Sequence, residues 1–223
     1  MQITTILFDI DGTLVDSNDF HVSAWREALR DAGHDFDAPA IHDQIGKGTD
    51  MLVPTLLPDL DEAAREALGD AHGHIFKGRY LERVKPFDQA RALLAHAHAC
   101  GQTVVLASSA SGEELDHYLD LLSARDLVST TTSSDDVEHT KPAPDIFAVA
   151  LKKAGDIDPA AAMVVGDTPY DVEAARRCGI ASVGLLSGGF DRATLERAGA
   201  VAVYDDVAAL LAGYDRSPLG VDR

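Results

Sequence analysis

The sequence predicts an α/β fold: a doubly wound parallel sheet with an all-helical domain inserted after the first strand. The run Ile3–Phe8 is mostly apolar, which is typical of a buried strand. Helical patterns without a convincing strand then continue to about Arg83. From Lys85 onward, strand and helix patterns alternate strictly. Because such alternation indicates a parallel sheet covered by helices on both faces, the core is predicted to be Rossmann-like.

The helical segment interrupts the core. Phe20, Trp25 and Leu29 recur at the spacing of an amphipathic helix, and residues 61–80 show a second helical pattern. The expected domains are a discontinuous α/β core of residues 1–15 and 85–213, a helical cap of residues 16–84, and a flexible polar tail of residues 214–223.

Beyond residue 85 the predicted elements follow one another in short units. The predicted strands are apolar runs bounded by Gly or polar residues, and they cover about residues 102–107, 127–131, 161–165, 181–185 and 201–203. The predicted helices lie between them, over about residues 88–100, 113–122, 144–154, 171–178, 194–198 and 207–211.

The composition is that of an acidic globular protein. Of 223 residues, 46% are hydrophobic and 25% are charged, and the formal net charge is −18. This charge argues against nucleic acid or an anionic membrane surface as a partner. No apolar run approaches the ~18 residues of a membrane span, and no signal-like segment precedes the first strand. Cys100 and Cys178 form no CxxC motif, which indicates a reducing, cytoplasmic location.

Two carboxylates end the first strand. Asp9 and Asp11 follow the apolar run directly, and Gly12 lets the backbone turn sharply. In a parallel α/β sheet, ligands bind at this edge. Neighbouring buried carboxylates repel each other and lose solvation, so a divalent cation is their natural compensation. The segment Asp9–Thr13 alone is also compatible with an ordinary polar turn.

Three further motifs favour a catalytic site. Each contains polar residues near the end of a strand-like run or beside a turn, and they are Val104–Ser108, Thr140–Pro144 around Lys141, and Met163–Asp171 with Asp167 and Asp171. With these four motifs in this order, the chain resembles the haloacid dehalogenase superfamily of phosphotransferases. It is most similar to the helical-cap branch that contains phosphoglycolate phosphatase-like and β-phosphoglucomutase-like enzymes. The resemblance extends from Ile3 to about Leu211.

The resemblance implies phosphoryl transfer through an aspartyl-phosphate. Asp9 would be the nucleophile, and Asp11 would protonate the leaving oxygen and then activate water. The implied Mg²⁺ ligands are the Asp9 carboxylate, the Asp11 backbone carbonyl and Asp167. Asp171 would support the metal site, and Thr13 would hold the loop or the Asp11 side chain.

The phosphoryl group would be bound by residues of the second and third motifs. Ser108 would donate a hydrogen bond to a phosphoryl oxygen, and Lys141 would offset negative charge. Ser109 lies where a helix N-terminus favours anions, although a helix cap is the ordinary role of a serine there.

The helical cap would determine specificity. The loop around Gly46, Lys47 and Thr49 is the expected specificity loop, and Lys47 is expected to meet a substrate anion. An ordinary turn with an exposed lysine stays an equal alternative. His21 starts the first cap helix and is expected near the active site, with a helix-terminal hydrogen bond as its alternative role.

The sequence therefore predicts an Mg²⁺-dependent phosphatase that acts on a small phosphorylated metabolite. A sugar-phosphate mutase is the alternative, but Met51 and Leu52 stand where the mutase pattern has an arginine. A receiver-type signalling domain with a phosphorylated aspartate is a third class, and the long insertion after the first strand argues against it. Phosphoglycolate, a sugar phosphate and a nucleotide monophosphate stay open as substrates, as does the oligomeric state.

Overall fold

The computed structural model describes residues 2–220 and has a six-stranded parallel sheet at its centre. The strands are β1 Thr5–Phe8, β2 Val15–Asp16, β3 Lys85–Pro86, β4 Thr103–Ala107, β5 Thr130–Thr132, β6 Ala162–Gly166, β7 Ala181–Leu185 and β8 Ala202–Tyr204. Six of them lie in the order β5-β4-β1-β6-β7-β8, and β2 pairs with β3 in a separate antiparallel ribbon. Since β1 lies between β4 and β6, the carboxyl ends of these three strands are neighbours.

Ten α-helices are described within residues 2–220. They are α1 Asn18–Asp31, α2 Ala38–His42, α3 Thr49–Leu56, α4 Glu62–Arg79, α5 Ala90–Ala99, α6 Gly112–Leu121, α7 Asp145–Lys153, α8 Pro169–Arg177, α9 Arg192–Ala198 and α10 Val207–Ala212. Helices α1–α4 form an insertion after β1, which confirms the predicted fold class. Within the described part of the chain, no helix combines the length and apolarity that crossing a bilayer requires.

The central strand is buried on both faces because its side chains alternate between two hydrophobic layers. Ile6 and Phe8 pack in one layer with side chains of α5, α6 and α10. Leu7 points the other way and packs with Ile146 and Ala174 of α7 and α8. The almost continuous apolar run in the sequence follows from this two-sided burial.

The helical insertion has a hydrophobic core of its own. Val22, Trp25 and Leu29 of α1 pack against Leu52 of α3 and Leu68 of α4. The two chain segments that connect this insertion to the sheet are held side by side by the β2–β3 ribbon. The insertion is thus a separate helical layer above the carboxyl ends of the strands.

Two expectations about the second half of the chain need correction. Strand β5 starts at Thr130, later than predicted, because the backbone N–H groups of Leu127 and Val128 bond back to Ala124 in a turn. Part of the predicted flexible tail is packed: Tyr214 and Leu219 are buried, and the side-chain amide of Gln102 donates to the Leu219 carbonyl at 2.9 Å. Residues 221–223 of that tail lie outside the described residues.

Candidate active site

The four sequence motifs come together at the carboxyl ends of β1, β4 and β6. Asp9 directly follows β1, Ser108 follows β4, and Asp167 follows β6. Lys141 reaches the same place from the loop before α7 and is fully buried. The parallel topology therefore brings into contact groups as distant in sequence as Asp9 and Lys141, which are 132 positions apart.

The ammonium group of Lys141 joins two of the carboxylates. It donates a hydrogen bond to Asp9, and Asp171 Oδ1 lies 2.7 Å from Nζ. Burial alone would lower the pKa of Lys141, but the charges of Asp171 and Asp9 outweigh burial and hold that pKa above its usual value. Lys141 therefore stays protonated and offsets one buried negative charge.

The remaining negative charge is not fully compensated by the protein. Burial raises the pKa of Asp9 well above its usual value; Lys141 opposes this rise, whereas Asp171, Asp167 and Asp11 add to it. Burial, reinforced by Asp171, raises the pKa of Asp167 to about 7. Carboxyl groups with pKa values raised in this way are typical of functional sites.

The buried carboxylates form a candidate site for a divalent cation. Oxygen atoms of Asp9, Asp167 and Asp171 all lie within 4.8 Å of one another. Glycines keep space around Asp167, since a Cβ at Gly188 would lie 1.8 Å from Asp167 Oδ2 and one at Gly12, where φ is +75°, would lie 2.2 Å from it. An oxygen-only donor set with excess negative charge fits a hard divalent cation.

Two polar side chains fix the orientation of Asp167. Thr13 Oγ1 donates to Asp167 Oδ1 at 2.7 Å and also lies 3.2 Å from Asp9 Oδ2. Asn18 Nδ2 donates to Asp167 Oδ2 at 3.0 Å. The Thr13 hydroxyl thus orients Asp9 and Asp167 rather than the side chain of Asp11.

The carboxylate of Asp11 points away from this cluster, toward α1 and α6. Its Oδ1 accepts from Ser17 Oγ at 2.6 Å and from the Tyr118 hydroxyl at 2.9 Å, and His21 Nε2 lies 3.1 Å away. Burial alone would raise the pKa of Asp11, but the charge of His21 and these hydrogen bonds hold it below its usual value. Asp9 and Asp11 thus have separate environments and opposite pKa shifts.

His21 is linked to a second histidine of the insertion. Burial alone would lower the pKa of His21, but the charge of Asp11 outweighs burial and raises that pKa. His21 Nδ1 lies 3.3 Å from His72 Nε2, and the His72 ring stacks on Trp25 with centroids 4.2 Å apart. Burial and the neighbouring His21 lower the pKa of His72 well below its usual value, so His72 is the neutral partner of the pair.

The two serines after β4 have different neighbours. Ser108 is buried; its Oγ accepts from the backbone N–H of Ala110 at 3.0 Å and lies 3.5 Å from Asp11 Oδ2. Ser109 Oγ donates to the Gly46 carbonyl of the insertion at 3.2 Å. The serine that caps α6 is Ser111, which forms a capping box with Glu114.

The loop before α3 rests on the core beside the catalytic residues. Gly46, with φ of +100°, lies so close to Thr168 that a Cβ there would come within 2.7 Å of its side chain. The backbone N–H of Gly48 donates to Thr140 Oγ1 at 2.8 Å, and Asp50 accepts from the Thr140 backbone N–H at 2.9 Å. The insertion therefore contacts the residue that directly precedes Lys141.

The other two predicted specificity residues line the same region. Thr49 begins α3 and faces the active-site cavity. Lys47 also lines the cavity, but its ammonium group donates to Gln44 Oε1 at 2.6 Å and lies 4.5 Å from the centroid of the Tyr170 ring. The expected contact between Lys47 and a substrate anion stays a prediction.

A cavity of about 710 Å³ separates the helical insertion from the carboxylates. The core side contributes Asp9, Asp11 and Ser108, and the insertion contributes Thr49 and one side of α4. This volume is within the range of small-molecule sites. The carboxylates of Asp9 and Asp11 therefore face a space that can hold a metabolite.

Sequence reasoning missed several residues of this site. Asn18, His72 and Tyr118 occupy helix positions that are ordinarily structural, and Gly188 lies in the turn that follows β7. Each becomes recognisable only when the fold brings it to Asp11, His21 or Asp167, since no strand end or motif marks it in the sequence.

Comparisons with known proteins agree with this arrangement. A hydrolase from Pseudomonas syringae has a crystal structure that matches with a TM-score of 0.89 and 33% identity, covering 96% of this chain and 98% of that one. The fructose-1-phosphate phosphatase YqaB of Escherichia coli is 28% identical over 181 residues, 80% of this chain and 94% of the relative. The pyrophosphatase PpaX of Bacillus cereus is 25% identical over 188 residues, 80% of this chain and 81% of the relative.

The sequence model of the haloacid dehalogenase-like hydrolase family matches residues 6–185, which include all four motifs. The chain belongs to this family.

Proposed function

We propose that this haloacid dehalogenase-like hydrolase is an Mg²⁺-dependent phosphatase that hydrolyses a small phosphomonoester through an aspartyl-phosphate. The observation that carries the proposal is the convergence of Asp9, Asp11 and Lys141 with Ser108 and Asp167 beneath one cavity. The phosphatase names of two relatives support the same reaction class.

Asp9 is the proposed nucleophile because a carboxylate can attack phosphorus in line. A carboxylate oxygen of Asp9 forms a bond to phosphorus, and the bond between phosphorus and the alcohol oxygen breaks. Lys141 and Thr13 fix the carboxylate in one orientation. Water then attacks the phosphorus atom, which releases inorganic phosphate and restores Asp9.

Asp11 is the proposed acid and base of the two steps. In the first step it gives a proton to the departing alcohol oxygen, and in the second it takes a proton from water. The hydrogen bonds from Ser17 and Tyr118 fix its carboxylate. His21 Nε2 lies 3.1 Å from Asp11 Oδ1, and its raised pKa favours an imidazolium that can return a proton to Asp11 before the departing oxygen is protonated.

Mg²⁺ is the proposed metal, with the carboxylates of Asp9 and Asp167 and the backbone carbonyl of Asp11 as its protein ligands. When bound, Mg²⁺ would supply positive charge that stabilises the phosphoryl oxygens. Asp171 is proposed as a supporting residue, because it is paired with Lys141 and accepts hydrogen bonds from Thr168. Its carboxylate thereby positions the lysine and the N-terminus of α8.

The phosphoryl oxygens would be bound by Ser108 and Lys141, with Ser109 at the rim. The proposed cap contacts to the rest of the substrate come from His21, Lys47, and the loop at Gly46 and Thr49. Contact of this loop with Thr140 and Thr168 would exclude water from the reacting phosphorus atom.

The test is hydrolysis of an aryl phosphate by wild-type protein, Asp9→Asn and the control Asp16→Asn, which changes an exposed aspartate near the same loop. Mg²⁺-dependent turnover is expected for wild type and Asp16→Asn, and a loss of about 10³-fold or more for Asp9→Asn. An acid-quenched wild-type sample should carry a phosphoryl group on Asp9. Near-wild-type turnover by Asp9→Asn, or full activity after chelation, would refute the proposal.

A further inference from the structure

The charges on the wall of the cavity bear on which substrates it accepts. Helix α4 contributes positions 66, 69, 70, 72, 73, 74 and 77 to the cavity lining, and 66, 69, 70, 73 and 77 of these have the spacing of residues that share a helical face. Glu66 and Asp70 are the acidic residues of this face. Both side chains are exposed to solvent. Gly73 has open space beside it, whereas the Thr49 side chain packs over Gly69.

No basic side chain neutralises these two carboxylates within residues 2–220. Ion pairs within 4 Å are formed elsewhere on the insertion, but Glu66 and Asp70 take part in none of them. On the core side, Glu114 also lines the cavity, where it accepts hydrogen bonds from Ser111. Glu114 thus adds a third carboxylate to the lining of the cavity, on the core side.

The lysines of the cavity are engaged by other groups. Lys77 Nζ lies 2.7 Å from Glu113 Oε2, and Lys47 is held by Gln44 and Tyr170. Among the described residues, no arginine lines the cavity. Lys141 and the proposed cation serve the phosphoryl group. His21, His72 and His74 also line the cavity. However, His21 is paired with Asp11 and the pKa of His72 lies well below its usual value, so neither of these two supplies a free positive charge to a second anion.

We infer that the cavity selects phosphomonoesters whose alcohol part carries hydroxyl groups and no second anion, and that Glu66 and Asp70 reject esters with an additional phosphate or carboxylate. The inference rests on the proposed phosphatase function. Carboxylates accept hydrogen bonds and cannot donate them, so they suit the hydroxyl groups of a sugar or polyol. The same carboxylates repel a second anion at the distance where a hydroxyl group would bind.

An acidic cavity wall would distinguish between the substrates in the names of two relatives, fructose 1-phosphate and pyrophosphate. Pyrophosphate presents a second phosphoryl group as its leaving group, and this group would face the acidic wall. A sugar or polyol monophosphate presents hydroxyl groups there. The charge distribution thus favours the chemistry of a sugar-phosphate substrate over that of pyrophosphate.

The experiment compares two substrates of nearly equal size that differ in one charge. Glycerol 3-phosphate has a hydroxymethyl group where 3-phosphoglycerate has a carboxylate. Wild-type protein with Mg²⁺ should show a kcat/KM at least about tenfold higher for glycerol 3-phosphate. Added salt should reduce this preference, because ions screen a charge repulsion across an open cavity.

The variant Glu66→Gln with Asp70→Asn removes both charges and retains the shapes of the side chains. It should raise kcat/KM for 3-phosphoglycerate relative to glycerol 3-phosphate by about tenfold or more. The control variant Asp59→Asn with Glu62→Gln removes two exposed charges just before and at the start of α4, outside the cavity, and should leave the ratio unchanged.

The inference fails if wild-type protein prefers 3-phosphoglycerate, or if the cavity variant changes the ratio no more than the control. Phenyl phosphate and 4-carboxyphenyl phosphate provide a second pair with the same difference in charge. Loss of the proposed function is a different result: wild-type protein would then hydrolyse none of the four esters.

Discussion

Replacing Lys141 by methionine tests how far one ammonium group stabilises the buried carboxylates. Methionine has a similar length and no charge, so the substitution removes the partner of Asp9 and Asp171 with little change in volume. Both carboxylates are buried, and Asp167 lies beside them. The variant therefore keeps three buried acidic groups and lacks the ammonium group that offsets their charge.

Removing one partner of a buried ion pair typically costs about 3–5 kcal/mol, because the remaining charge is desolvated and unpaired. For a chain of 223 residues, this corresponds to a decrease in Tm of about 6–20 °C in the absence of a divalent cation. Mg²⁺ should recover part of the loss, since a ligand at a hundred times its Kd stabilises the folded state by about 2.7 kcal/mol.

The measurement is thermal unfolding of the metal-free protein, repeated with excess Mg²⁺. Lys153→Met is the matched control, because Lys153 forms an ion pair of 2.8 Å with Asp136 in which each side chain is about one-third exposed. A pair of this kind contributes at most about 1 kcal/mol. Equal decreases in Tm for the two variants in the metal-free state would contradict the conclusion that Lys141 stabilises the buried carboxylates.

Two further predictions concern Asp167. Gly188→Ala should reduce metal affinity and kcat by about 10²-fold or more, because the new methyl group would meet Asp167 Oδ2; Gly78→Ala, on an open part of α4, should leave both unchanged. Because the folded pKa of Asp167 is raised to about 7, the folded state keeps this proton at pH values where the unfolded chain has lost it, and stability falls as the pH rises through that range. In chelator, the unfolding free energy of wild type relative to Asp167→Asn should therefore fall between about pH 4, the usual pKa of an aspartate, and about pH 7. Excess Mg²⁺ should abolish this trend, and a rise with pH would contradict the assigned shift.

The residues at strand ends could be predicted because their position depends on local sequence. Asp9, Ser108 and Asp167 each follow an apolar run, and parallel strands bring their carboxyl ends to one edge. The helical insertion was also predictable, since its amphipathic patterns differ from the strict alternation after Lys85. These features can be predicted from the order of the residues and the spacing of the apolar ones alone.

The environment of Asp11 could not be predicted in the same way. Tyr118 belongs to the apolar face of α6, and a tyrosine there is normally a core residue; only the packing of α6 against the sheet brings its hydroxyl to Asp11. His72 reaches His21 because α1 and α4 cross in the insertion. Contacts between helix faces depend on crossing geometry, which no local pattern specifies.

The β2–β3 ribbon makes the helical insertion a replaceable part. Val15 lies opposite Pro86, so the chain leaves the sheet domain and returns to it at adjacent points. A different helical domain whose ends are equally close could be joined at this ribbon without stretching the sheet. Such a chimera would keep the groups that react with phosphorus and acquire a new surface for the alcohol. Substrate preference and chemical mechanism can thus change independently in a chain of this architecture.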